Sequence, residues 1–341
     1  MRMRLLPKLC LALLVGCFSL FSQDAPPASE VTPVFRTTTE LVLIDAQVVH
    51  KKTKTSTGSL RKEDFQVYED GALQEIKFFG RDQLPLSIVL LFDLTDSVRP
   101  VLTQLGAGAK TALTHLKPED EVAVMVYAAS ARLIDGFTTD RARTIEAIER
   151  AAGDKSGEAA FFNEGVYQAS QQLRQSANPS SRRVVIWLTD NLPNVPSEWM
   201  RAHAGKSVAQ GSLHTEQEAF QSLYETGSVV SPLLKKSAFV MPFYALTLAM
   251  EGAWRSKYPP GDAHKYAERT GGEALKLGGK KVEERLAELI DDLRARYTIG
   301  YRPAAPKPPG EFCKVRVSLS PGASLRTREW TVLATAGYYR K

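Results

Sequence analysis

Cysteine is nearly absent from this chain of 341 residues: there are three, and Cys10 and Cys17 lie in the first seventeen. Beyond them only Cys313 remains, so no intrachain disulfide can staple the rest, and stability has to come from a packed core. Cys313 alternates with Val315, Val317 and Leu319, which turns it inward as a small hydrophobe rather than outward as a reactive thiol. Histidine is also sparse, with five scattered residues. There is no H-E-x-x-H and no G-x-S-x-G, and nothing joins a nucleophile to a base and an orienting partner, which argues against an enzyme. The "AGKS" of Ala204–Ser207 imitates a phosphate loop, but Met200 stands where that loop needs glycine. No Lys/Arg run is interleaved with aromatics. Three of the +6 net charges, from Arg2, Arg4 and Lys8, lie in the leader. The roughly +3 left for the rest is too little to argue for nucleic acid.

What is present begins with "MRMRLLPKLCLALLVGCFSLFSQDAPPASE". A basic start, an apolar stretch from Leu9 to Phe21 and a polar, Pro-rich continuation read as a secretory signal over residues 1–23. The apolar part is short for a membrane span. Within it, "LVGC" (Leu14–Cys17) is similar to a bacterial lipobox, with lipidation expected at Cys17; the other reading is ordinary cleavage near Ser22. Both take the chain out of the cytoplasm, secreted, periplasmic or anchored in the outer envelope. Residues 24–35 then read as a flexible tether.

Residues 36–82 read as a small β segment. Val42, Ile44, Ala46 and Val48 fall on one face at period two, and Asp70-Gly71 between alternating apolar residues is a two-residue hairpin signal. From residue 83 the pattern changes. "LPLSIVLLFD", "DEVAVMVYAA", "SRRVVIWLTD" and "AFVMPFYALTL" are continuous apolar runs, as in strands covered on both faces. Between and after them lie helical stretches: about Val98–Leu116, "TTDRARTIEAIERAA" with Asp140 as N-cap, "NEGVYQASQQLRQ", and "KVEERLAELIDDLRARY" with Val282, Leu286, Leu289, Ile290 and Leu293 on one face. The alternation predicts a doubly wound α/β domain over 83–296, mostly parallel, with helices on both faces and ligands at the carboxyl ends of its strands. "YTIGYRP", "CKVRVSLS" and "REWTVLATAGYY" make 297–341 a second β segment, expected to join the first in one accessory β module.

Two strand ends carry oxygen. Asp93 closes "SIVLLFD" and is followed by Thr95, Asp96 and Ser97; Asp190 closes "VVIWLTD". A phosphatase-type aspartyl nucleophile would need a second carboxylate where Thr95 stands. A carboxylate and two hydroxyls at alternate positions suit a hard cation that keeps some of its water. Asp96 is assigned to solvent or to capping the next helix. The long segment 192–235 reads as an insertion. Its Trp199 and Met200 either anchor a partner beside the site or pack the insertion onto the domain.

At these residues the chain resembles von Willebrand factor type A domains, whose metal-ion-dependent adhesion site is D-x-S-x-S, a Thr on a second loop and an Asp after a later strand. Asp93, Thr95 and Ser97 match the first element, with Thr for the first Ser, and Asp190 the last. The wider layout, with "EDFQVYEDGALQEIKFF", "LRARYTIGYRP" and a closing "GYY", is similar over about residues 36–340 to the secreted VWFA-related proteins of acidobacteria. The resemblance implies an adhesion-type protein-binding module, secreted or envelope-anchored, using Mg²⁺ (or Mn²⁺ or Ca²⁺) held by Asp93, Thr95, Ser97 and Asp190. One departure bears on the metal: in "EAAFFNEG" the expected Thr falls on Ala159 and the usual Asp on Asn163. The site so loses a ligand, which implies weak binding or none unless water or Glu158 substitutes. The other reading is a metal-independent scaffold of an envelope assembly.

Overall fold

The strand Leu86–Asp93 (β5) is buried along its whole length, and alternate residues supply two separate cores. Leu86, Ile88, Leu90 and Phe92 face one way, Val89 and Leu91 the other, as the pleat requires. In the computed structural model, residues 41–57, 59–81, 84–155, 160–192, 214–235, 261–304, 307–326 and 329–340 are described.

The central sheet has six strands in the order β10-β9-β8-β5-β6-β7. β5 runs parallel to Glu121–Tyr127 (β6) and Arg182–Thr189 (β8). Val229–Leu234 (β9) and the two-residue Leu275–Lys276 (β10) continue the parallel order beyond β8, and Ala131–Thr138 (β7) closes the other edge antiparallel. On one face pack Arg99–Leu113 (α1), Arg141–Gly153 (α2) and Val282–Arg294 (α6). Phe162–Leu173 (α3), Glu216–Thr226 (α4) and Ala263–Thr270 (α5) cover the other. The α/β expectation holds, and Asp140 caps α2 by accepting the backbone N–H groups of Ala142 and Arg143.

The segment expected as an insertion is in part ordinary domain. Its end, 216–235, supplies α4 and β9, while "AFVMPFYALTL" lies outside the described residues. Pro232 masks β9 in the sequence, because proline is excluded from the middle of a sheet. Its neighbour explains the tolerance. β10 pairs only with Leu233 and Leu234, and Val230, two residues before the proline, donates its N–H to the Thr270 hydroxyl at 2.9 Å instead of to a strand. The missing N–H of Pro232 therefore falls on the β10 side, just before the two-residue ladder with β10 begins at Leu233.

The two flanks combine in two four-stranded sheets. Val42–His50 (β1), Ile76–Gly80 (β4), Tyr297–Tyr301 (β11) and Trp330–Ala334 (β13) form the order β13-β1-β11-β4. Phe65–Glu69 (β2), Ala72–Gln74 (β3), Phe312–Leu319 (β12) and Gly337–Tyr339 (β14) form β14-β12-β2-β3. One core of residues such as Ile44, Val48, Val67, Ile299 and Val317 fills the space they share. The β2–β3 turn has Asp70 and Gly71 both at positive φ, 48° and 88°, the conformation an Asp-Gly hairpin favours. Cys313 is fully buried.

Buried charges join these sheets to the α/β layers. Arg182, at the start of β8, donates to both oxygens of Asp45 in β1 (2.8 and 3.1 Å) and to the Leu293 carbonyl in α6 (2.7 Å). Arg296 is fully buried and donates to the Gln47 side chain at 2.9 Å and the Gly271 carbonyl at 2.8 Å. Nearby, Glu273 is 5 % exposed, neither carboxylate oxygen accepts a hydrogen bond, and its nearest cation is the Lys54 ammonium at 3.8 Å. Burial pushes its carboxyl up to about 7. The folded chain thus binds this proton more tightly than the unfolded chain does. The stability it contributes is complete below the ordinary value of 4.5 and is lost as pH rises through about 7. Urea unfolding of Glu273→Gln against wild type should show little difference at pH 4.5 and a gain of up to ~3 kcal/mol for the variant at pH 8. Equal gains at both pH values would contradict the assignment.

Candidate metal-binding face

The strand order decides where the site can be. From β5 the chain winds outward through β6 in one direction and, later, through β8 and β9 in the other. The crevice between the carboxyl ends of β5 and β8 is the point where the order reverses, and α/β sheets bind ligands there. In the parallel register Phe92 lies opposite Leu188, so Asp93 and Asp190 leave adjacent strands at nearly the same level.

The four residues singled out in the sequence meet in this crevice. Asp93 is fully buried. Its Oδ1 accepts the Thr95 backbone N–H at 2.9 Å and the Thr95 hydroxyl at 2.7 Å. The Thr95 and Ser97 hydroxyls lie 3.2 Å apart, and Ser97 donates to Asp190 Oδ2 at 2.6 Å. Asp190 Oδ1 accepts the Leu192 N–H at 3.0 Å, which curls the loop back over the strand end. The backbone turns there through Asn191 at φ 60°, a left-handed conformation asparagine tolerates. Asn191 in turn accepts the Ala263 N–H at 2.7 Å and so ties the loop to the start of α5.

A second layer of side chains lies beneath Asp93. Asp93 Oδ2 accepts the Tyr127 hydroxyl at 3.0 Å and the Thr189 hydroxyl at 3.1 Å. Tyr127 also accepts from the Trp187 indole at 2.9 Å. Both rings are fully buried, and they pack edge-on against Phe162. Gly165 in α3 makes room for this, since a Cβ there would stand 2.8 Å from the Tyr127 ring. The available signal was positional: Tyr127 ends β6 opposite Asp93, and Thr189 precedes Asp190.

Burial, partly offset by the Thr95 hydrogen bonds and reinforced by the charge of Asp190, pushes the Asp93 carboxyl up to about 6. Neither aspartate forms an ion pair with a Lys, Arg or His among the described residues. Two carboxylates and two hydroxyls thus converge without a counter-charge, an all-oxygen donor set that fits a hard divalent cation. Asp93, Thr95, Ser97 and Asp190 are the residues that would hold it.

Other candidates take different places. Asp96 is 92 % exposed and pairs with Arg99 at 3.2 Å; it does not cap α1. Asn163 is buried and accepts the Tyr266 hydroxyl at 2.8 Å. Glu158, Ala159, Trp199, Met200 and Cys17 lie outside the described residues. A further trio, Glu69, Asp70 and Cys313, places metal-capable atoms within 4.8 Å of one another. Its acceptors are already engaged, Glu69 by the Tyr301 and Tyr338 hydroxyls and Asp70 by Lys307.

An open, mostly parallel sheet with an aspartate-hydroxyl loop at its switch point defines a doubly wound α/β domain. Residues 88–192 match the family model of the von Willebrand factor type A domain, and the chain contains such a domain, with its fold. No curated protein matches the chain. Among solved structures it is similar to a von Willebrand factor type A protein from Catenulispora acidiphila, at 13 % identity and TM-score 0.41, covering 90 % of this chain and 75 % of that one. An aerotolerance-related membrane protein from Bacteroides fragilis is similar at 12 % identity and TM-score 0.38, covering 60 % and 98 %. Proximal thread matrix protein 1 from the mussel byssus, solved with a zinc-occupied MIDAS motif, follows at 14 % and 0.38, covering 66 % and 49 %. No helix among the described residues is long and apolar enough to cross a membrane.

Proposed function

We propose that the chain is a protein-binding module of the adhesion type, working outside the cytoplasm, whose binding face is the loop cluster at the ends of β5 and β8. The observation that carries this reading is the convergence of Asp93, Thr95, Ser97 and Asp190 at the switch point, with two carboxylates and no paired cation among the described residues. A divalent cation (Mg²⁺, Mn²⁺ or Ca²⁺) bound there would supply the positive charge that a partner's carboxylate seeks. The chain's own residues set its terms. Asp93 is fixed by four hydrogen bonds, Ser97 orients Asp190, and the aromatic layer beneath excludes water from the inner side. With two anionic donors, affinity in the weaker part of the hard-cation range is expected.

The second reading, a metal-independent scaffold, is favoured by Ala159, which offers no oxygen where the family carries Thr. Calorimetric titration of the chain with Mg²⁺ and with Mn²⁺ separates the two. Saturable binding that disappears in Asp190→Ala supports the metal-dependent face. No heat at millimolar ion would leave the scaffold reading standing.

A further inference from the structure

A second concave surface lies away from the strand ends, where α4 and α5 meet β12 and β14. It encloses about 710 Å³, within the ~300–1,000 Å³ of ligand pockets. Four rings run along it in sequence. Phe220 stacks on Tyr224 with centroids 6.1 Å apart, Tyr224 meets Phe312 at 5.1 Å, and Phe312 meets Tyr339 at 5.1 Å. The ladder begins on a helix of the α/β layers and ends on the β module, so only the assembled fold creates it.

The charge on this surface is unbalanced. Lys265 is held by Glu216 at 2.5 Å. Arg269 lies over the Phe220 ring at 5.1 Å, and neither it nor Lys314 forms an ion pair with a described residue. Both are exposed; Asp70, the acid whose charge Lys314 feels, pairs directly with Lys307 at 2.9 Å, so a guanidinium and an ammonium stand without a directly paired carboxylate above an aromatic floor. A lone small anion would use the cations and leave the rings idle, and a purely apolar ligand would do the reverse. An extended peptide uses both, because proline and aromatic side chains stack on such rings while carboxylates pair with the flanking cations.

We propose that this cleft binds an acidic peptide segment of a partner protein, with proline or aromatic side chains on the Tyr224–Phe312–Tyr339 ladder and carboxylates on Arg269 and Lys314. The cleft shares no lining residue with the metal-binding face. A partner engaging both surfaces would gain affinity through effective concentration, without new contacts at either.

The test uses fluorescence anisotropy with the full chain in EDTA, so that the metal-binding face takes no part. The probe is a labelled pentapeptide, Glu-Pro-Tyr-Glu-Pro. Saturable, salt-sensitive binding is expected, weakened about tenfold or more by Arg269→Glu and by Lys314→Glu, the loss of one charge-assisted contact each. Both side chains are exposed, so both variants should stay folded, with Arg269→Glu at a slightly lower unfolding midpoint because it gives up the contact with Phe220 and places an acid in the last turn of α5. Any of three results would overturn the proposal: no binding at millimolar peptide, equal binding of Gln-Pro-Tyr-Gln-Pro, or affinity unchanged in both variants. Binding of an acidic oligosaccharide such as oligogalacturonate in place of the peptide would overturn the peptide assignment.

Discussion

Asp93→Ala is expected to abolish the response of this protein to divalent cations. For wild type, thermal unfolding in Mg²⁺ or Mn²⁺ at about a hundred times the dissociation constant should show ~2.7 kcal/mol of added stability over EDTA, because only the folded chain brings the four donors together. The variant should unfold identically in both. Its stability in EDTA reflects two opposed changes. The Thr95, Thr189 and Tyr127 hydroxyls lose their acceptor, at ~1–3 kcal/mol for each one left buried and unpaired. Against this, a carboxylate that burial already holds at about 6 is removed. Asp93→Asn separates charge from shape, since it keeps the volume and one acceptor oxygen without the negative charge. It should lose the cation response as completely as Asp93→Ala while unfolding closer to wild type in EDTA. A cation response that survives in Asp93→Asn would sink the metal assignment at this face.

Arg182→Ala should lower stability by ~3–5 kcal/mol, measured by urea unfolding. The Arg182 side chain is fully buried and that of Asp45 partly so, with 0 and 22 % exposed. Removing the guanidinium strands the Asp45 carboxylate and the Leu293 carbonyl together. Since domains of this kind are stable by only ~5–15 kcal/mol, the loss is a large share of the whole. Arg183→Ala is the matched control. Its neighbouring guanidinium donates to the Thr226 carbonyl at 3.2 Å, and its removal should cost about 1 kcal/mol. If the two variants lose the same amount, the bridge between β8 and β1 is not what holds the layers together.

Much of the fold could be read along the chain because its signals are local. β5, β6 and β8 are continuous apolar runs, Asp140 caps α2, the α6 stripe repeats at helical spacing, and Asp70-Gly71 fixes a hairpin. The misses came where a residue's neighbours lie far off in sequence. Pro232 argues against a strand until the two-residue β10 and the Thr270 hydroxyl are seen on its open side. The flanks read as one β module, and its division into two sheets depends on which strand of one flank pairs with which strand of the other.

The candidate site divides the same way. Asp93, Thr95 and Ser97 occupy one loop, so their spacing alone determined that their oxygens could converge, and the apolar run before them determined that the loop sits on a buried strand end. That Asp190 completes the set was decided only by the pairing of β8 with β5 across ninety-odd residues of chain. Tyr127, Thr189 and Trp187, which hold Asp93 from below, and Arg182, which looks like one more surface cation in "SRRVV", acquire their roles only in the folded chain. Periodicity reports which face of an element is covered, because the helix and the pleat repeat at fixed intervals. It cannot report what does the covering, because hydrogen bonds and ion pairs between elements depend on strand order, and strand order is set by packing of the whole molecule.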